Sequence, residues 1–173
     1  MSEQLQSCSF DTVPPFALSE CVAKVIDVYD ADTVRIGTYV GDQIYQFVVR
    51  LEAIDSPEIR PRNSPHACLE RAAARAARTR LIELCLGETN LPHEPRKKTR
   101  KRCGNSRALV RIKPKSMDKY GRVLATMYVD GDDRSVNDIL LQEGYVHPYD
   151  GGSRSPWTAE DLSAIVALRA DTH

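Results

Sequence analysis

Arg50-Leu51-Glu52-Ala53-Ile54-Asp55-Ser56-Pro57-Glu58 sets an arginine, and then the carboxylates of Asp55 and Glu58, at the end of an apolar strand. An extended chain alternates its side chains, so Arg50, Glu52 and Ile54 are expected on one face and Leu51 and Ala53 on the other. Pro57 cannot donate to a sheet ladder and biases Ser56 toward an extended or turn conformation. The strand must therefore stop, which leaves Asp55 and Glu58 where backbone departs from the sheet. Two carboxylates and an arginine on a rigid strand end suit a metal ion and a phosphate better than a core.

Two other stretches carry matching chemistry. Asp30-Ala31-Asp32-Thr33 falls between the strand-like runs Val22 to Tyr29 and Val34 to Ile36, a sharp acidic turn. Asp118-Lys119-Tyr120-Gly121-Arg122 precedes the apolar run Val123 to Val129, which puts a second arginine at a strand start. Asp32 and Asp55 offer oxygen donors from separate strand ends, and no His or Cys is positioned to join them, which favours calcium or magnesium over zinc. Arg50 and Arg122 can fork onto phosphate oxygens, and Glu58 is available as general base. Taken singly, each feature has an ordinary reading as a solvated turn, a strand-end ion pair, surface charge or a hairpin.

Outward from these stretches the chain alternates in short runs. Lys24 to Tyr29, Thr33 to Ile36 and Tyr45 to Leu51, with a turn at Gly41-Asp42, predict a three-stranded meander; Leu109 to Lys113 and Arg122 to Asp130 predict two further strands. Ser64-Pro65 predicts the start of a helix reaching Leu86 and stopped by Gly87, with Leu69, Ala73, Ala76 and Leu84 buried and Arg71, Arg75 and Arg78 on a solvated stripe. Ser135 with Asp138, and Thr158 with Asp161, predict capped second and third helices, with Trp157 packing onto Leu162.

At 173 residues and 42% apolar content the chain suits one domain. Its 24 basic and 24 acidic residues cancel, yet from Arg60 to Lys115 sixteen Lys and Arg face four Glu, so one face can be cationic and polyanion-binding. Residues 1–19 predict a flexible N-terminal tail, and 20–173 the folded domain, with a basic insertion at about 88–107. The run Arg96 to Arg102 within it is too charged to bury and reads equally as a nuclear-import signal, a phosphate-tracking arm or a solvated loop. Five cysteines without close partners predict reduced, mostly buried thiols. With no signal-peptide pattern and no membrane-length apolar run, an intracellular chain is expected, with the nucleus open to it through the basic run Arg96 to Arg102, a monomer by default and without an organic cofactor.

From about Val22 to about Tyr149 the order Asp-x-Asp-Thr, Arg-x4-Asp-Ser-Pro-Glu, Asp-Lys-Tyr-Gly-Arg resembles the staphylococcal nuclease (thermonuclease) family. The resemblance implies an α+β fold, a five-stranded OB-like barrel with three helices. It implies a calcium-dependent, sugar-nonspecific endonuclease that cleaves DNA and RNA, prefers flexible or single strands, and leaves 3′-phosphate ends; magnesium is the weaker candidate. By position, Asp32, Asp55 and the Ser56 carbonyl correspond to calcium ligands, Arg50, Glu58 and Arg122 to catalytic groups, Lys119 and Tyr120 to contacts with a terminal phosphate, and Asp30 and Thr33 to residues ordering the ligands. Ala31 stands where the family often has Gly, which is tolerable if its φ is negative. Among Tyr145, His147 and Tyr149 the base-stacking residue is unassigned. The rival class is a non-catalytic nucleic-acid or protein-binding module, whose examples typically lack these carboxylates and arginines.

Overall fold

The computed structural model describes residues 2–62 and 64–170; the expected domain limits at residues 1 and 173 lie outside the described residues. In chain order the elements are α1 (Ser2–Gln6), β1 (Cys21–Val28), β2 (Thr33–Val40), β3 (Gln43–Leu51), β4 (Ile54–Asp55), α2 (Ala67–Leu86), α3 (Arg96–Asn105), β5 (Val110–Met117), β6 (Val123–Val129), α4 (Val136–Gln142), β7 (His147–Pro148) and α5 (Ala159–Ala170). Alternating β-branched residues make β1, β2 and β3 an antiparallel meander in the register Val25 to Ile36 and Ile36 to Phe47. β5 and β6 pair antiparallel, β6 lies parallel to β3, and β5 returns to β1, so a five-stranded barrel closes in the order β1-β2-β3-β6-β5. The α+β class and the barrel match the expectation. The helices number five among the described residues rather than three, because α1 and α3 form in the expected tail and in the basic insertion, where no helix was expected.

Val34, Ile36, Val49, Leu51, Ile112 and Met127 fill the barrel at 1% exposure or less. Each such side chain contributes about 1.5 to 3 kcal/mol relative to an exposed one. Ala73, Ala77, Leu81 and Cys85 of α2 extend this core, and Leu162 and Ile165 of α5 complete it. The buried face of α2 is thus rotated from the expected stripe, with Ala73 shared but Leu69, Ala76 and Leu84 only partly buried. Gly87 ends α2 in the left-handed region at φ 65°, its amide donating to the Glu83 carbonyl. The start differs from expectation: α2 begins at Ala67, and Ser64 only accepts from the His66 amide at 3.3 Å. β5 runs past Lys113 to Met117, with Pro114 opposite Ala125 and a register shift between Pro114 and Ser116. Both expected caps form, Ser135 accepting from the Asp138 amide at 3.0 Å and Thr158 from the Asp161 amide at 3.1 Å. Trp157 packs on the core as a partly buried residue, but its ring stacks on His147, centroids 3.7 Å apart.

The basic insertion is bound to the barrel. Thr99 and Cys103 of α3 are fully buried, and Arg96 and Arg100 both reach the buried Asp27 of β1, each through Nε at 2.9 Å. Arg78, expected on a solvated stripe, is 3% exposed and joins three segments: Nε donates to the Val28 carbonyl at 3.0 Å, Nη1 to the Glu94 carbonyl at 3.2 Å, and Nη2 to Thr99 Oγ1 at 3.0 Å. The basic side chains of the run Arg96 to Arg102 stay intermediate or exposed, in keeping with their charge density, while Arg78 is buried because β1 and the approach to α3 offer it acceptors. Of the five cysteines, all free, only Cys85 and Cys103 are buried, while Cys8 and Cys68 are exposed and Cys21 is intermediate. Burial pushes the Cys85 thiol above the ordinary range and the Cys103 thiol to about 11.

Burial alone would raise the Asp27 carboxyl, but the Arg96 and Arg100 guanidiniums outweigh it and hold it below the usual range. A lowered carboxylate adds stability above its unfolded pKa, and that stability is lost as pH falls through the folded value. Asp27→Asn should therefore cost about 2 kcal/mol at pH 7 in urea denaturation. The difference from wild type should shrink as pH drops below about 4.

Candidate active site

The β2–β3 register sets Thr33 opposite Arg50, and the Leu51 amide donates to the Asp32 carbonyl at 2.7 Å, so the acidic turn lies against the end of β3. Arg50 is 5% exposed and its guanidinium spans both acids, Nη1 to Asp32 Oδ2 at 3.0 Å and Nη2 to Asp55 Oδ1 at 3.3 Å, with a further bond from Nη1 to the Leu51 carbonyl at 3.2 Å. The Asp32 carboxylate also accepts from the Ser56 amide at 2.9 Å and from Thr33 Oγ1 at 2.8 Å. Asp30 Oδ1 receives the Asp32 amide at 3.3 Å. Asp32, Asp55 and Ser56 are each 4% exposed. Carboxylates this close oppose one another's ionisation: desolvation and then the Asp32 charge push the Asp30 carboxyl well up. Burial also raises Asp55, with Arg154 opposing the rise and Asp32 adding to it.

Simple alternation fails just past β3. Ala53 adopts φ 62°, a left-handed conformation costing roughly 1 kcal/mol for a non-glycine residue. The chain turns there, and Ile54 enters the core beside Leu51 rather than sharing the Arg50 face. Asn137 of α4 holds this bend: its amide donates to the Glu52 carbonyl at 2.9 Å, while its side-chain oxygen accepts from the Met127 amide at 3.1 Å. β4 then pairs with β7, Asp55 opposite His147. Ala31 has no positive φ, so the acidic turn forms without glycine.

Parallel pairing of β3 with β6, Val49 opposite Val123, brings the second arginine to the same barrel end. Asp118 organises the β5–β6 turn: its Oδ1 accepts from the amides of Tyr120 and Arg122 at 2.8 and 2.9 Å, and its Oδ2 from Arg122 Nε at 2.7 Å. Gly121 supplies the φ of 76° that the turn requires. Arg50, Lys119, Tyr120 and Arg122 line one groove of about 820 Å³ with Tyr149 and Arg154. Glu58 is half exposed, its amide donating to the buried Glu70 of α2 at 3.2 Å, and it lines an adjoining pocket of about 250 Å³ with Asp55, Ser56 and Arg154.

The structure distinguishes the three aromatic candidates. Tyr145 is 5% exposed in the core, His147 stacks on Trp157, and Tyr149 faces the groove with its ring centroid 6.0 Å from the Arg50 guanidinium carbon. The sequence reading missed Arg154, which bonds Asp55 Oδ1 through Nε at 3.2 Å and pairs with Glu58 through Nη1. Its one signal was a lone cation in the small-residue loop Asp150-Gly151-Gly152-Ser153. Asn137 and Glu70 gave no signal, since each acts on backbone far away in sequence. Among the described residues no three His, Cys, Asp or Glu side chains form a metal-holding cluster, and no helix is long and apolar enough to cross a membrane.

Comparison with protein families matches residues 48–165 to the family described as staphylococcal nuclease homologue. No curated protein matches the chain. The matched span begins in β3 and includes Asn137, whose removal tests the bend. Asn137→Ala should lower stability by about 2 kcal/mol in chemical denaturation, because the Met127 amide and Glu52 carbonyl lose their partner.

Proposed function

Since the chain belongs to the staphylococcal nuclease homologue family, we propose that the barrel-end site is a calcium-dependent phosphodiesterase that cleaves DNA and RNA with little demand on sequence or sugar. The observation that carries this reading is Arg50 joined at once to Asp32 and Asp55, beside Glu58 and in one groove with Arg122. The donors fit a hard divalent cation: crowded carboxylate oxygens whose charges oppose each other, with no histidine or cysteine among the described residues lining the pocket at Asp55 and Ser56. Asp32, Asp55 and the Ser56 carbonyl would hold calcium, which when bound draws charge from a phosphodiester oxygen and favours deprotonation of water.

The remaining roles belong to side chains of the chain itself. Glu58 accepts the proton of the water that attacks phosphorus, and its half-exposed position gives it access to solvent. Arg50 and Arg122 bind the other phosphate oxygens and stabilise the charge that builds up during attack, Arg122 also steadying the 5′ oxygen as it leaves. The P–O5′ bond breaks as the water oxygen bonds to phosphorus, the departing oxygen takes up a proton, and the 3′ end keeps the phosphate. Lys119 and Tyr120 contact a terminal phosphate, a role supported by their exposure on the β5–β6 turn beside the groove. Thr33 and Asp30 orient Asp32 through its carboxylate and amide respectively. Tyr149 offers a ring on which a splayed base can stack, consistent with single-stranded or frayed substrate.

A nucleic-acid-binding module without catalysis is the second reading, and the engagement of Glu58 by Arg154 favours it as the contact stands. Digestion separates the two. Wild type with calcium should degrade RNA and heat-denatured DNA and stop in chelator. Glu58→Gln should lose about 10² to 10⁴ of the rate and Arg122→Ala about 10² to 10³, with nucleic-acid binding retained. Binding without cleavage by wild type in calcium or magnesium would establish the module instead.

A further inference from the structure

Arg154 occupies a position that the phosphodiesterase roles leave unused. It belongs to the segment 149–158, which forms no helix or strand and carries Gly151 and Gly152. Its side chain is 48% exposed, yet it bonds the 6%-exposed Asp55 side chain and pairs with Glu58. Arg154 lines both cavities, the 820 Å³ groove that holds Arg50, Lys119 and Arg122, and the 250 Å³ pocket that holds Asp55, Ser56 and Glu58.

We propose that Arg154 is a built-in counter-ion that competes with the divalent cation for Asp55 and Glu58 and, once released, adds a third guanidinium to the phosphate groove. The inference rests on the calcium-dependent reading above. Geometry favours exchange over addition. Arg154 Nε holds Asp55 Oδ1 at 3.2 Å and its Nη1 holds Glu58, so the guanidinium takes up the carboxylate oxygens that a cation between Asp32 and Asp55 would draw on. A cation and a guanidinium brought to the same carboxylate also repel each other, so binding of one weakens the hold of the other. Exchange also removes the guanidinium from the carboxylate that must accept a proton, so Glu58 becomes free for water as the cation arrives. Because Arg154 already borders the groove, side-chain rotation moves it from carboxylate to phosphate without rearrangement of the barrel. The exchange gives the free protein a neutralised site and supplies a cation to the substrate only when the metal is in place.

Calcium binding to the full chain, measured by titration calorimetry without nucleic acid, tests this directly. Arg154→Ala should bind calcium about three- to tenfold more tightly than wild type, the scale expected for losing one partly exposed competing ion pair. Arg154→Lys, which keeps the charge but not the fork, should fall between the two. At saturating calcium the KM of Arg154→Ala for single-stranded DNA should rise about tenfold as the third phosphate contact is lost. A merely structural arginine would not yield a gain in calcium affinity, so equal or weaker binding by Arg154→Ala overturns the competition. An unchanged KM overturns the transfer to phosphate. Absence of calcium binding in wild type, with Asp55→Asn as the silent reference, overturns the calcium-dependent reading and this inference with it.

Discussion

A guanidinium at the end of a barrel strand cannot lose its water without charged partners, and Arg50 has lost nearly all of it. Its partners come from two directions, Asp32 from the β1–β2 turn and Asp55 from the bend after β3. Much of the barrel end follows from satisfying those two contacts. The Thr33–Arg50 register brings in the first acid, and the left-handed Ala53 brings in the second. Removing either acid would leave a buried cation underpaired, a more costly state than never having buried it. Structural pairing thus falls on three of the residues that the proposed chemistry would use.

Around this triad, supporting contacts act mainly on backbone. Asn137 satisfies the carbonyl of Glu52, Glu70 receives the amide of Glu58, and the Ser56 amide closes onto Asp32. None of these touches the groove where a phosphate would lie, but each limits where a carboxylate can point. The same logic organises the far side of β1, where Arg78 satisfies the Val28 carbonyl and Asp27 accepts two arginines of α3. A helix with seven residues of the pattern Arg-Lys-Lys-Thr-Arg-Lys-Arg is held by hydrogen bonds rather than by an apolar face.

What could be read in the sequence was whatever depends on near neighbours. Strand alternation in β1 to β3, the Asp118 to Arg122 hairpin and the caps at Ser135 and Thr158 all carry their cause within a few residues. Features decided by distant partners were misread. Ile54 left the predicted face because Asn137, far along the chain, holds the preceding bend, and Arg78 left its solvated stripe because β1 and α3 offer it three acceptors. Arg154 lay in a stretch that reads only as a loop, and its meaning appears once β4 pairs with β7 and turns that loop over Asp55. The candidate site residues were legible by family resemblance in their order; their mutual distances were not.

The parallel contact between β3 and β6 has a further consequence for how the molecule comes into being. Asp32, Arg50, Asp55 and Glu58 all belong to the first third of the chain, whereas Arg122 and Arg154 arrive late. No local hairpin can unite them, because neighbouring parallel strands require a long connection, here the whole of α2, α3 and β5. A growing chain that has completed its meander therefore carries acidic groups without the arginine that completes the groove. Assembly of the groove waits for the closing of the barrel, a slow, non-local event in folding. Chain order thus makes the groove a property of the completed chain alone, and a half-synthesised molecule has no such surface to offer a ligand.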